Sequence, residues 1–376
     1  MKFPLISSIF VTSSLSSANV DAYGDSAASS SSSSSSPSSC VVPPPFDEAS
    51  LATKGKPAIR IVMSITTGTF FAELIEGALA QARLVGATGV DAAVTSSDGD
   101  DVEQARLVSD AVTNLTTTTT TTTTTGGGGD NVGIITVDGT ADSMCDAINA
   151  ALMKNVSVVS FDFEGGACSP GHVLTSQDDR DMASLVLEQA LLSEGGGLDV
   201  GYVSDLNYAP LVRRDEVWEA YKIDNDWTQV FFVEDAANYT SADALRSAIE
   251  VAISGSPRPP SFIYAPWDYL SINTAAAING SSNASGIGVY GADVNDEDIG
   301  AMTAPGSQWL ATAGGDPQRI GASLVRMAAL LMAGELSNVE AEEGVTLTIP
   351  TMLITQDFLV TKNVTNMDIL VIEWVS

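Results

Sequence analysis

The sequence holds one histidine, three cysteines and only 16 lysines and arginines among 376 residues. Each shortage removes a class of function. A single histidine, His172, cannot build a histidine-rich metal site, and no partners for a triad accompany it. It is expected at the surface or beside a hinge. The cysteines include no C-x-x-C pair, which excludes a thioredoxin-like redox motif or a zinc ribbon. Against 47 acids the 16 bases leave a net charge of −31, which repels phosphate backbones and anionic lipid. Nucleic acid and membrane surfaces are therefore not expected partners. No run of about 18 apolar residues occurs, so direct membrane insertion is not expected. The G-x-x-x-x-G-K-S/T phosphate loop and the G-x-S-x-G nucleophile elbow are also missing.

What is present begins with residues 1–22, "MKFPLISSIFVTSSLSSANVDA", where one lysine and a short apolar core precede small residues. That is the pattern of a cleaved signal peptide, and it predicts a secreted or secretory-lumen protein. Residues 23–56 carry a serine run and "CVVPPP", a flexible then stiff linker unable to build a core. Six N-x-S/T sequons, at Asn114, Asn155, Asn238, Asn279, Asn283 and Asn363, agree with a glycosylating route. In an oxidising compartment Cys145 and Cys168 can pair, leaving Cys40 free. Three unpaired small hydrophobic side chains are equally compatible.

From residue 57 the pattern alternates strand and helix. "IRIVMSI" (59–65) reads as a buried strand, and residues 70–85 put Phe70, Phe71, Leu74, Ile75, Ala78, Leu79, Ala82 and Val85 on one helical stripe. "VDAAVTS", a helix at 101–113, "VGIITVD", a helix at 142–154 and "VSVVSFD" complete a first set. A second set runs "HVLTSQ", "LDVGYVSD", "TQVFFVED", "FIYAPWD" and "IGVYGAD", each with a helix between. Near-continuous apolar strands alternating with amphipathic helices predict an α/β protein with parallel sheets covered on both faces. There are too many units for one open sheet, so two lobes are expected. A Thr/Gly insert at 116–129 sits between a helix and a strand, as a surface loop would.

In such sheets ligands bind beyond the carboxyl ends of the strands. Asp138, Asp162, Asp205, Asp235 and Asp293 stand there. Asp138, Asp205 and Asp235 read as helix caps, whereas Asp162 in "SFDFEGG" and Asp293 in "YGADVND" follow their strands directly. Asn295, Glu297 and Asp298 lack EF-hand spacing and read as a solvated helix start. Gly286-Ile-Gly288-Val-Tyr-Gly291 fits G-x-G-x-x-G but is itself a strand, so it is not a dinucleotide fingerprint. What remains is a binding constellation. Carboxylates with an arginine hold several hydroxyls at once, and aromatic faces cover the apolar faces of a sugar ring. Phe70, Phe71, Tyr239 and Trp267 supply aromatics at element starts, although Phe70 and Phe71 also fit plain helix core.

The stretches "IRIVMSITTGTFFAELIEGALAQARLVG", "VVSFD", "VRRDEVWEAY", "VYGAD" and "WLATAGGDPQRIGASLVRMAALLMAGE" resemble, in that order, type I periplasmic binding proteins of the ribose and galactose group. This is also the sensor fold of LacI-type repressors, but no helix-turn-helix precedes residue 57. The resemblance implies two Rossmann-like lobes joined by a three-crossover hinge near Ser176, Gly315 and Thr346. One lobe would comprise residues 57–176 and 316–346, the other 177–315 and 347–376. By motif match Asp162, Arg214 and Asp293 take the positions of charged sugar anchors. Phe70 and Phe71 match an aromatic pair, Tyr239 falls near an aromatic position, and Thr67 and Gly68 stand where the family often has Asn. Trp267-Asp268 replaces Asn-Asp, Gly315 replaces a hinge-side Gln, and Phe163 replaces an Arg after the binding Asp. These departures predict a drier, more aromatic pocket than that for ribose.

The resulting expectation is a non-enzymatic solute-binding protein for a monosaccharide or related carbohydrate, with no cofactor and no metal. A membrane receptor or transporter would read its closed form. A furanosyl signalling molecule of the autoinducer type is an alternative ligand. An ectodomain-like interaction protein and a carboxylate-pair glycoside hydrolase are the alternative functions.

Overall fold

A computed structural model describes residues 57–370 apart from 65–67, 88–90, 95–99, 121–131, 207, 235, 237–238, 240, 281–283, 285 and 335–345. The expected signal, the 23–56 linker, Cys40, Thr67, Asp235, Asn238 and Asn283 lie outside the described residues.

Strand and helix alternate from the start: β1 (Ala58–Met63), α1 (Thr69–Leu84), β2 (Asp91–Val94), α2 (Asp101–Thr120), β3 (Val132–Val137), α3 (Ala141–Leu152), β4 (Ser157–Phe161) and β5 (His172–Gln177). The second half repeats the pattern: α4 (Asp179–Glu194), β6 (Asp199–Val203), α5 (Ala209–Asp224), β7 (Thr228–Val233), α6 (Ala242–Gly255), β8 (Phe262–Ala265), α7 (Asp268–Gly280) and β9 (Gly288–Gly291). It closes with α8 (Asp296–Thr303), β10 (Trp309–Gly314), α9 (Pro317–Ala333), β11 (Thr346–Ile349), β12 (Met352–Thr355) and α10 (Gln356–Lys362).

Two six-stranded sheets result, ordered β11-β5-β4-β3-β1-β2 and β12-β10-β9-β8-β6-β7. All pairings are parallel except β10 with β12. Period-two alternation explains why each sheet is covered twice. Ile59, Ile61 and Met63 of β1 enter the core shared with α1 and α9, while Val62 enters the core shared with α2 and α3. In the second sheet Ile263 and Ala265 of β8 face α6 and α7, and Phe262 and Tyr264 face α4 and α5. The expected α/β fold with two lobes is what forms.

Close packing of α1 on α9 depends on glycine. A Cβ on Gly77 would collide with the Gln318 carbonyl, and one on Gly321 with that of Leu74. The helices thereby meet backbone to backbone. Helix α2 runs to Thr120, past the expected end at 113, because Leu115 extends its buried stripe of Val108, Ala111 and Val112. The first threonines of the insert are therefore helical rather than loop.

The chain passes between the sheets three times. The first passage follows β5 at Asp178, and the second lies at Gly315–Asp316 between β10 and α9. The third follows Ile349 rather than falling at Thr346, because β11 pairs with β5 over its whole length, Thr346 opposite Leu174 and Ile349 opposite Gln177.

Cys145 on α3 is joined to Cys168 by a disulfide. His172 is buried, not at the surface: its Nε2 donates to Ser160 Oγ at 2.7 Å and its Nδ1 accepts from the Cys168 amide at 3.1 Å. Burial lowers its pKa to about 4, so the ring is neutral, and Ser160 continues the network to Thr136 at 2.5 Å. The sequon residues Asn114, Asn155, Asn279 and Asn363 are exposed.

Candidate functional site: a two-chambered cleft between the lobes

The carboxyl ends of β1, β3, β4 and β5 face those of β8 and β9 across a cleft. At three of these ends an aspartate adopts the left-handed conformation: Asp138 (φ 59°), Asp162 (φ 53°) and Asp293 (φ 68°). Asp tolerates this region better than most side chains, and here the turn brings the backbone off the strand. Asp138 is thus a cleft residue, not a helix cap; Thr140 holds the N-cap position of α3 and Tyr208 that of α5. Asp205, also read as a cap, is buried after β6.

An inner chamber of about 70 Å³ is lined by Asp138, Asp162, Gln177, Arg214 and Asp293, with Phe70, Phe71, Tyr208 and Trp267 as walls. The same four aromatic residues border an outer chamber of about 430 Å³, where Gly68, Asp268, Asn273, Asn295, Glu297 and Asp298 add polar lining. The structure therefore brings together Asp162, Arg214, Asp293, Trp267, Phe70 and Phe71 in one place, with Asp268 in the next. It does not bring Tyr239, which packs against the α6–α7 core instead. Phe163 is likewise absent from the lining: it is buried edge-on to His172, 5.1 Å between ring centroids. The aromatic surface comes from Tyr208 and Trp267, not from the residue after Asp162.

Arg214, 2% exposed, has its donors occupied. Nε reaches Asp179 at 2.9 Å, Nη1 reaches Asp293 at 2.9 Å and the Pro266 carbonyl at 2.6 Å, and Nη2 reaches Asp293 at 3.2 Å. Arg213 grips the other oxygen of Asp179 at 2.8 Å. Burial opposes the Arg214 charge, but Asp293 and Asp179 outweigh it, so its pKa is raised. The ladder continues into the hinge. Gln177 donates to Asp293 at 3.1 Å and accepts from the Gly315 amide at 2.7 Å, tying two passages together.

Asp162 and Asp138 have no such support. Asp138 accepts from Ser64 at 3.2 Å, yet burial pushes its carboxyl up to about 7. Oδ1 of Asp162 is buried without a hydrogen-bond partner among the described residues. Burial first, and then the neighbouring Asp179 and Asp138, push this carboxyl well above the ordinary range.

Beside the outer chamber the expected helix start forms, but it is only partly solvated: Glu297 is exposed, whereas Asn295 is 2% and Asp298 1% exposed. Asn295 caps α8 by accepting from the Glu297 and Asp298 amides, and its Nδ2 donates to Asp268 at 2.8 Å. Burial, then Asp293, raises Asp268 to about 7. At the mouth the lobes touch: Thr69 donates to Glu297 at 2.9 Å, and the Asp296 amide donates to Glu73 at 3.2 Å.

Asp179, Gln177 and Tyr208 were not singled out from sequence, and Asp138 was set aside as a helix cap. Asp138 carried the same signal as Asp162, a carboxylate directly after an apolar strand. Asp179 is hidden in "QDDRD", where nothing distinguishes the inward acid from its neighbours.

Residues 59–336 match the family model described as periplasmic binding protein domain. None of the curated proteins matches this sequence. Among solved structures, the 5-methylthioribose transporter solute-binding protein of Thermotoga lettingae TMO, in complex with 5-methylthioribose, is 28% identical. The match covers 84% of this chain and 92% of that one, with a TM-score of 0.72. A sugar ABC transporter protein of Yersinia enterocolitica subsp. enterocolitica 8081 is 20% identical over 88% of this chain and 92% of its own, TM-score 0.70. A periplasmic solute-binding protein of Actinobacillus succinogenes 130z with bound D-allose is 14% identical over 80% and 98%, TM-score 0.65. The last two share the fold. With the family model matched over most of its length, and two sheets joined by three passages around a cleft, this chain belongs to the periplasmic binding protein domain family and is a non-enzymatic solute-binding protein of the type I fold.

Proposed function

We propose that the cleft binds a small carbohydrate, with the ring between the aromatic walls and its hydroxyls on Asp138 and Asp162. The observation that carries this reading is the contrast inside one chamber: among the described residues two carboxylates form no ion pair, while their neighbours are gripped by arginine. Sugar hydroxyls supply the donors that the first pair lacks. Phe70, Phe71, Tyr208 and Trp267 cover the apolar faces of the ring. Thr67, before Gly68, is a further candidate contact, and Asp268 serves the part of the ligand beyond the walls.

The similarity to a protein that binds 5-methylthioribose, a pentose with one apolar substituent, supports a modified furanose over ribose. The chambers also argue against an interaction protein with a cleft filled by its own side chains. In this reading Ser176, Gln177 and Gly315 flex at the hinge, a transporter component or receptor reads the closed form, and the protein is secreted and glycosylated at its exposed sequons.

Titration calorimetry against ribose, 5-methylthioribose, allose and glucose tests this. At least one of the sugars is expected to bind at micromolar Kd or tighter, a usual range for pockets of this kind, about −8 kcal/mol. No heat with any of the four overturns the carbohydrate reading.

A further inference from the structure

The outer chamber is too large and too polar to be a mere entrance. Phe70, Phe71, Tyr208, Trp267 and Tyr269 wall it, with Trp267 tilted 50° from both Tyr208 (centroids 6.0 Å) and Tyr269 (5.5 Å). Its polar side is acidic: Asp268, Glu297 and Asp298 against Arg246. That arginine is committed to its own lobe, donating to Asn273 at 2.9 Å and pairing with Asp243, with 40% of its side chain exposed. Among the acids, Asp268 is satisfied by the Tyr269 amide at 2.6 Å and by Asn295, and Glu297 accepts from Thr69. Asp298 is different. It is 1% exposed, and its Oδ2 has no hydrogen-bond partner among the described residues.

An ionised carboxylate in that position costs several kcal/mol unless a cation or donors reach it. Aromatic faces around a carboxylate form a receptor for an ammonium group, which gains from the ring quadrupoles as well as the charge. A neutral apolar group would use the rings and leave Asp298 unpartnered. An anion would meet three carboxylates. The surplus of acid over the whole chain, −31, further concentrates cations near the mouth.

We infer that the outer chamber takes a protonated amine carried on the sugar, so that the cleft's ligand is an amino-substituted carbohydrate. This rests on the carbohydrate reading above. The sugar ring occupies the inner chamber and the shared aromatic walls, and its ammonium group reaches Asp298, with Asp268 adding a second negative charge. The amine cannot be replaced by an amide of similar size, because the amide has no charge for the rings or the carboxylates.

Calorimetry on the full chain with five probes tests the inference: ribose, methyl 5-amino-5-deoxyribofuranoside, 2-aminoethyl ribofuranoside and the N-acetyl forms of the two amines. At least one amine is expected to bind about tenfold or more tighter than both ribose and its own N-acetyl form. In Asp298→Asn the ratio of amine to N-acetyl affinity is expected to fall by about threefold or more, the rings and Asp268 sustaining what is left. Ribose binding as well as the amines, or an N-acetyl form matching its amine in the wild type, overturns the amine subsite and leaves the carbohydrate reading standing. A preference for the amine that is undiminished in Asp298→Asn also overturns it. No binding by any of the five overturns both readings.

Discussion

The two sheets have the same strand order and each delivers an aspartate in the left-handed conformation to the same cleft, yet the two sides treat that charge in opposite ways. On the first lobe Asp138 and Asp162 form no ion pair among the described residues, and burial pushes both carboxyls upward. On the second, Asp293 and its neighbour Asp179 are bound by Arg214 and Arg213. In the reading proposed above, one geometry serves two tasks. The carboxylates gripped by arginine act as scaffold, and those without an ion pair receive the ligand, at a standing cost in stability of the empty cleft.

The comparison breaks most severely at Arg214. Arg214→Met keeps an unbranched apolar stem without the guanidinium and leaves Asp179 and Asp293 with Arg213 alone. Removing one partner from such a buried network costs ~3–5 kcal/mol. Urea unfolding of the ligand-free protein is expected to show that loss, whereas loss of ligand affinity with an unchanged midpoint would make Arg214 a ligand anchor after all.

The opposite sign is expected on the first lobe. A carboxyl whose folded pKa is raised above its unfolded value holds the proton more tightly in the native state. Its contribution is full below the unfolded pKa, near 4, and is lost as pH rises through the folded one. For Asp138, raised from 3.8 to about 7, that window runs from about pH 4 to about pH 7. The Tm of the ligand-free protein should therefore fall across it, with Glu73 and Asp268, also near 7, acting in the same sense. Asp138→Asn is expected to flatten the decline and to weaken sugar binding by about tenfold, the scale of one charge-assisted hydrogen bond. A Tm that climbs over this window would place the uncompensated charge elsewhere.

Much of this cleft was legible in the sequence because strand ends in parallel sheets are marked by where apolar runs stop. Asp162, Asp293 and Trp267 stood at such stops, and Arg214 stood in the stretch "VRRDEVWEAY". What could not be read was which neighbour turns inward. "SFDFEGG" places phenylalanine on both sides of Asp162, but only the backbone turn at Asp162 decides that Phe163 packs on His172 and leaves the pocket. Tyr239 and His172 failed for a related reason: residue type announces a polar or aromatic group, not the core it joins. The third passage shifted from Thr346 to beyond Ile349 because pairing with β5, not composition, sets where β11 ends. Asp138 was misread for want of a rule separating a cap from a crevice acid when both follow a strand.

The smallest effect belongs to the line where the two lobes meet. Thr69 on α1 donates to Glu297 on α8, and Glu73 accepts from the Asp296 amide at the start of the same helix. Only the first of these bonds lies in the open, where water replaces it at little cost, so Thr69→Ala should change closure by less than ~1 kcal/mol. Closure and binding are linked, so the mutation is expected to weaken ligand affinity about two- to fivefold, chiefly through faster release. Because Thr69 also borders the outer chamber, the control is unfolding of the empty protein. Its urea midpoint should stay put while ligand dissociation, followed by stopped-flow tryptophan fluorescence, accelerates. Equal losses in both would make the contact part of the scaffold, on the same side of the comparison as Arg214, and not part of the moving mouth.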